Sequence, residues 1–309
     1  MLRTAAVALV LAAASTVAWG QSVHPDIKQC LNGRLGDELV IKSCNAVIGG
    51  GLVSQRDLAV ALASRAAAYQ RQGQIDRAIE DYSRALELAP NHPDMLASRG
   101  SAYGAKGDMD HARADLDRAI SIDRTNVYAF LNRGNLHSEA SRYEEALKDF
   151  DEAARLAPNE SEIFYNRGVV YTRLRQHERA IADYDRAAAL NPRDPDIFAN
   201  RCGEKTSLGR FDQALPDCNE ALRLNPQDPA VLANRAVIYV RLKNYPAAIA
   251  DCDAALRLDP RRADALYARG VAKRLARDVT SGAADIAAAK LLEPRIEDQM
   301  AEFGLSKME

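Results

Sequence analysis

No stretch of this 309-residue chain approaches the roughly 18 continuous apolar residues that a membrane-spanning helix needs. Neither charge is in excess: the formal net charge is −2, with the two signs interspersed. The chain therefore lacks the basic footprint that nucleic acid or an anionic membrane would require, and neither is expected as a partner. Catalytic signatures are missing too. There is no G-x-S-x-G, no H-E-x-x-H, no glycine loop followed by lysine and no dinucleotide fingerprint, so the chain reads as a non-enzyme with no cofactor. The five cysteines match no zinc-ligand spacing, and the five histidines, His24, His92, His111, His137 and His177, are scattered. Aromatic residues are only 6 %, whereas alanine and leucine dominate and 27 % of residues are charged. That is helical composition with a mixed-charge surface, and it predicts one continuous architecture instead of two unlike domains.

The N-terminus carries an address. Arg3 is the only charged residue before an apolar run from Ala5 to Ala14, and Ala18-Trp19-Gly20 offers small residues at both places a signal peptidase reads. Residues 1–20 are read as a secretory signal, with cleavage before Gln21 and a periplasmic or secreted destination. Losing Arg3 takes the net charge to about −3.

Self-similarity organises the remainder. Pro90, Pro158, Pro192, Pro226, Pro260 and Pro294 are separated by 34 residues or a multiple of 34, and Arg124 stands where one more proline is due. This register defines seven repeats, starting at Ala59, Pro93, Val127, Ser161, Pro195, Pro229 and Ala263 and covering 59–296. The eighth position holds Ala66, Gly100, Gly134, Gly168, Cys202, Ala236 and Gly270; the twentieth and twenty-seventh are alanine except for Gly282. Small residues at fixed places on two segments let two helices approach closely. Tyr69, Tyr103, Tyr171 and Tyr239 on the first segment, and Tyr82, Phe150 and Tyr184 on the second, fill the space between. Gly73, Gly107 and Gly209 mark a turn between the segments, and the proline stops the second helix.

With these positions the chain resembles the tetratricopeptide repeat family, here of the exported bacterial type. The resemblance implies an all-α fold, a right-handed α-solenoid of stacked helix-turn-helix repeats, in which neighbours bury what one hairpin cannot. Residues 21–58 are then an N-terminal capping region with a degraded repeat, in which Val40–Ile48 imitates a second helix and Gly49-Gly50-Gly51 closes it. Residues 297–309 form a C-terminal cap, with the stretch from Arg295 to Phe303 expected as a polar helix covering repeat seven. Repeat five departs from the pattern at Cys202, Lys205 and Pro216. If its second helix is capped by Asp212, Pro216 is the fourth helical residue and only a slight kink follows.

Two positional ladders stand out. Position seven is arginine in every repeat and position twenty-three is aspartate in every repeat, Arg65 with Asp81 through Arg269 with Asp285. One-for-one matching implies structural pairing; a basic strip for an anionic ligand is the rival. Position six gives the second ladder, Asn132, Asn166, Asn200 and Asn234, on the face that in this family lines the concave groove. Asn135, Tyr128, Tyr165 and Tyr267 lie near it. Carboxamides both donate and accept, so they suit the main chain of an extended polypeptide. The lysine and arginine clamp that one subfamily uses for a partner's C-terminal carboxylate is missing. The function implied is a protein-protein interaction scaffold of the cell envelope that binds a polypeptide or partner protein in its groove. A purely structural or self-associating scaffold is the alternative. His137, at the tyrosine position of repeat three, reads as a packed residue.

In an oxidising compartment cysteines pair. Cys30 and Cys44 lie on the two halves of the degraded unit and are expected to be linked. Cys202 and Cys218, level with each other at positions eight and twenty-four, are the second candidate. Cys218 and Cys252 are one repeat apart, beyond bridging distance, which leaves Cys252 free or paired between chains.

Overall fold

The computed structural model describes residues 26–32, 35–50 and 53–305, so the expected signal segment lies outside the described residues. Seventeen helices and no strands occur among the described residues. The first helices of the seven repeats are α3 (Gln55–Arg71), α5 (Pro93–Lys106), α7 (Val127–Glu139), α9 (Ser161–Arg173), α11 (Pro195–Ser207), α13 (Pro229–Arg241) and α15 (Ala263–Leu275). Their partners are α4 (Ile75–Leu88), α6 (Met109–Ile122), α8 (Tyr143–Leu156), α10 (His177–Leu190), α12 (Phe211–Leu224), α14 (Tyr245–Leu258) and α16 (Val279–Leu292). Two helices precede them, α1 (Ile27–Cys30) and α2 (Asp37–Gly49), and α17 (Ile296–Glu302) follows. The chain forms two compact modules, one ending at Asn166 and one beginning at Arg167, each built from the same stacked hairpins.

Local chemistry sets the helix ends. Pro93, Pro195 and Pro229 occupy the first turn of their helices, where a missing N–H costs nothing. Ser54, Asp108, Asn126, Asp194, Asp228, Asn244 and Asp278 cap helix starts by accepting backbone N–H groups. The turn inside each hairpin places position fifteen at positive φ in all seven repeats: Gly73, Gly107 and Gly209, but also Ser141, Arg175, Lys243 and Arg277. Four side chains thus accept a left-handed conformation that costs roughly 1–2 kcal/mol, because the flanking helices leave the chain no other path. The second helix ends two residues before the proline position in every repeat, including repeat two, where that position is Arg124. Proline accompanies the stop and is not required for it.

At the centre of each hairpin, position eight faces position twenty-four. A Cβ added to Gly134 would lie 2.8 Å from the Phe150 ring, and one on Gly168 2.8 Å from the Tyr184 ring. Tyr82, Phe150 and Tyr184 are correspondingly buried. In repeat seven the helices meet at Gly270 and Gly282, each of which would place a new Cβ 2.6–2.7 Å from the other's carbonyl oxygen.

One helix start differs from the expected one. Helix α12 starts at Phe211 with Arg210 as its cap, so Pro216 is the sixth helical residue and removes the bond to Asp212 O; the helix nevertheless continues to Leu224. The C-terminal helix α17 packs on α15 and α16 of repeat seven and leaves Glu297, Asp298 and Glu302 exposed, but its other face is apolar. The segment through Leu305 buries Ile296, Met300 and Leu305 in a cluster with Val237, Val240, Tyr267 and Val271, reaching repeat six as well as repeat seven.

Gly282→Val meets backbone that cannot retreat and should cost about 1–3 kcal/mol in urea unfolding. Lys243→Gly, which relieves a left-handed side chain, should range from neutral to about 1 kcal/mol stabilising in the same assay.

Candidate protein-binding surface

The arginine ladder is consumed inside the fold. In every repeat the arginine Nε donates to Oδ2 of its own repeat's aspartate at 2.7–2.9 Å. Nη2 donates to Oδ1 of the same carboxylate, Arg201 to Asp217 included. The seven aspartates are only 3–9 % exposed. Hydrogen bonding to these carboxylates raises the guanidinium pKa of Arg65, Arg99, Arg133, Arg235 and Arg269 above its ordinary value. The remaining nitrogen reaches back to the preceding second helix. Arg133 Nη1 donates to Asp117, Arg201 Nη1 to Asp185 and Arg269 Nη1 to Asp253, each at 2.7 Å. Arg99 finds Ser83 there and Arg235 finds Asn219. One side chain therefore fastens a hairpin together and fastens it to its neighbour, which leaves no open basic strip.

Position eleven completes the arrangement. Tyr69, Tyr103 and Tyr239 lie beneath the guanidinium one turn earlier, 5.7–5.8 Å from ring centre to Cζ. Lys205 and Lys273 instead add a second cation to Asp217 and Asp285. His137 is packed here, its Nε2 3.7 Å from Asp149 Oδ2. Burial foremost, helped by Arg142 and Arg133, lowers its pKa despite Asp149.

The predicted groove residues divide by burial. In the N-terminal module Asn166 is wholly buried, and its Nδ2 donates at 3.0 Å to Oδ1 of Asn135, itself 5 % exposed. Tyr165 is buried as well. Asn132 and Tyr128 are half-buried. Asn132 lines a cleft of about 50 Å³ with Asn135, Glu139, Gly100 and Gly104. Burial raises the Tyr128 phenol pKa, and the nearby carboxylates of Glu160, Glu162 and Asp94 raise it further. In the C-terminal module Asn200 and Asn234 are half-buried, whereas Tyr267 is 3 % exposed in the cluster with the chain's own α17. Tyr267, expected to face a ligand, is thus covered by the C-terminal segment of the chain itself.

The cysteines are brought together as pairs: Cys30 with Cys44, Cα atoms 4.7 Å apart, and Cys202 with Cys218, 5.4 Å apart. Cys252 is buried with a free thiol, whose pKa burial pushes up.

Sequence reading missed one polar chain in the C-terminal module. Glu204, 5 % exposed, accepts from Thr172 Oγ1 at 2.9 Å and lies 2.7 Å from His177 Nδ1. The signal was available: position ten is apolar in every other repeat, and so is position seventeen, where His177 stands.

Profiles of the tetratricopeptide repeat match residues 59–92, 93–126, 131–195 and 207–263. No curated protein matches the chain in sequence. Among solved structures, PilF of Pseudomonas aeruginosa superposes with a TM-score of 0.64 at 21 % identity, over 69 % of this chain and 97 % of its own. YrrB, described as a TPR protein with an unusual peptide-binding site, gives 0.55 at 24 % identity, over 62 % and 98 %. The Cut9-Hcn1 hetero-tetramer of the APC/C gives 0.61 at 16 % identity, over 88 % of this chain and 52 % of the other. At these identities the likeness is one of fold.

Arg133→Ala should destabilise the chain by about 1–3 kcal/mol, since it strands a buried carboxylate. The ladder also sets an acid limit. Burial opposes ionisation of Asp285, but bonds from Arg269 and Lys273 prevail and hold its pKa below the ordinary value. Its contribution is therefore complete above the unfolded value, near pH 4, and is lost as pH falls through the lower folded value. Melting temperature against pH should decline gently from 7 to 5, as the lowered pKa of buried His137 requires, and drop further below about 4. Non-reducing peptide mapping should recover both disulfides, with Cys252 alkylated only after denaturation.

Proposed function

The chain belongs to the tetratricopeptide repeat family, whose members generally mediate protein–protein interactions, and on that premise we propose a scaffold that holds an extended polypeptide along its first-helix faces. The observation that carries this reading is the cleft on the N-terminal module, where Asn132, Asn135 and Glu139 stand over a floor opened by Gly104. A Cβ on Gly104 would meet nothing within 4 Å, so the floor is open to an incoming side chain. Stacked helices are about 8–10 Å apart and an extended chain rises about 3.3 Å per residue, so each repeat meets about every third ligand residue. The carboxamide of Asn132 bonds the ligand's peptide groups, and Tyr128 supplies selectivity; Asn200 and Asn234 do the same in the C-terminal module. Asn135, Asn166 and Tyr165 hold the surface in shape, since they are buried against the fold. The scaffold binds and does not catalyse. It acts in the cell envelope or outside the cell, a location supported by the leader-like residues 1–20 and compatible with two disulfides.

The test is recovery of partner proteins from an envelope fraction by the mature chain and by Tyr128→Ala/Asn132→Ala. With an unchanged melting curve, the variant should retain partner at least about tenfold more weakly, the loss of one hydrogen bond and one aromatic contact. Equal recovery by a folded variant removes this surface from the function.

A further inference from the structure

The first-helix face of the C-terminal module already holds a peptide, and the peptide is the chain's own. Residues 296–305 carry Glu297, Asp298 and Glu302 and no cation. Their apolar side chains Ile296, Met300 and Leu305 are 1–2 % exposed. They share one apolar cluster with Val237 and Val240, positions nine and twelve of repeat six on α13, and with Tyr267 and Val271, positions five and nine of repeat seven on α15, while α17 itself packs on α15 and α16. Positions nine and twelve also line the cleft of the N-terminal module, at Asn135 and Gly104. Basic groups receive the polar part. Arg241 Nη1 donates to Gly304 O at 2.8 Å, Arg175 Nη2 meets Glu302 at 2.7 Å, and Lys290 Nζ meets Glu297 at 2.5 Å. The contact at Gly304 is close enough that an added Cβ would fall 2.3 Å from Arg241 Nη1, and its φ of +72° already favours glycine.

We propose that this face is a recognition site for a short acidic amphipathic segment of a partner protein, and that residues 296–305 fill it in cis. The segment it takes has apolar residues at i, i+4 and i+9, an acidic residue at i+6 and glycine at i+8, the spacing from Ile296 to Leu305. A partner binds by displacing the internal copy, so the internal copy sets a threshold of affinity. The inference rests on the reading that first-helix faces bind polypeptide, but it uses residues of the C-terminal module alone. Failure of the Tyr128 and Asn132 test would leave it standing, and its own failure would leave that test untouched.

Gly304→Val separates occupant from receptor, because it loosens the segment without altering the face. A fluorescein-labelled peptide of residues 294–305 is titrated by anisotropy into the full mature chain, wild type and variant. Wild type should bind weakly, and Gly304→Val at least tenfold more tightly. Val237→Asp added to Gly304→Val should remove the gain. Met300→Asp undocks the segment by a second route and should reproduce the gain. Unchanged peptide affinity in both Gly304→Val and Met300→Asp would overturn the proposal. So would a concentration-dependent dimer of wild type that Gly304→Val dissolves, since the face would then belong to a second copy of the chain.

Discussion

Everything in this architecture hangs on one charged contact made seven times. An arginine at position seven and an aspartate at position twenty-three bond in parallel, two N–H groups to two oxygens, across the two helices of each hairpin. Such a pair is geometrically demanding, because both bonds form only when the helices sit at one height and one rotation. The next residues along, positions eight and twenty-four, are then carried face to face at the closest approach. Gly134 under Phe150 and Gly168 under Tyr184 are the packing consequences of a register that the ion pair specifies. A buried ion pair adds little stability over well-packed apolar residues. Its value here is specificity: in a chain whose repeats are nearly interchangeable, a slip of one residue would strand two charges.

Because the register is held elsewhere, positions eight and twenty-four tolerate different solutions. Repeat one uses Ala66 with Tyr82, repeat four Gly168 with Tyr184, and repeat six Ala236 with the thiol of Cys252. Repeat five replaces the knob and its notch by a covalent bond between Cys202 and Cys218. Repeat seven keeps Ile286 at position twenty-four and, with glycine at positions eight and twenty, lets Gly270 and Gly282 touch through their backbones. Each solution keeps the two helices in contact, and none disturbs the neighbouring arginine.

The periodic features were legible in the sequence for the reason that they are periodic: small residues, arginines and aspartates recur at fixed places, and only a repeated hairpin explains them. What escaped were contacts that join unlike positions. The ladder asparagines look alike in sequence, yet position nine of the preceding repeat decides their fate. Asn135 stands there for Asn166 and takes its amide, whereas Gly203 stands there for Asn234 and offers no side chain. The hydrogen bond that Nη1 makes to the preceding helix was equally hidden, since its acceptor varies among aspartate, serine and asparagine. That residues 296–305 reach repeat six as well as repeat seven could not be read either. Their charges suggest a solvated helix, and three apolar side chains spaced by four and five residues outweigh them only when a waiting apolar face is known.

The two cystine bridges have a mechanical meaning. Each lies within one hairpin or one hairpin-like cap, with 14 residues separating Cys30 from Cys44 and 16 separating Cys202 from Cys218. An unfolded chain pulled from its ends pays out roughly 3.3–3.6 Å per residue. Each bridge withholds the contour between its cysteines, on the order of 40–50 Å apiece. Tension along the array would thus open the other hairpins fully while these two remain tied. A thiol reductant would release the missing length in two discrete steps, which makes the stretched chain a ruler of its own oxidation state.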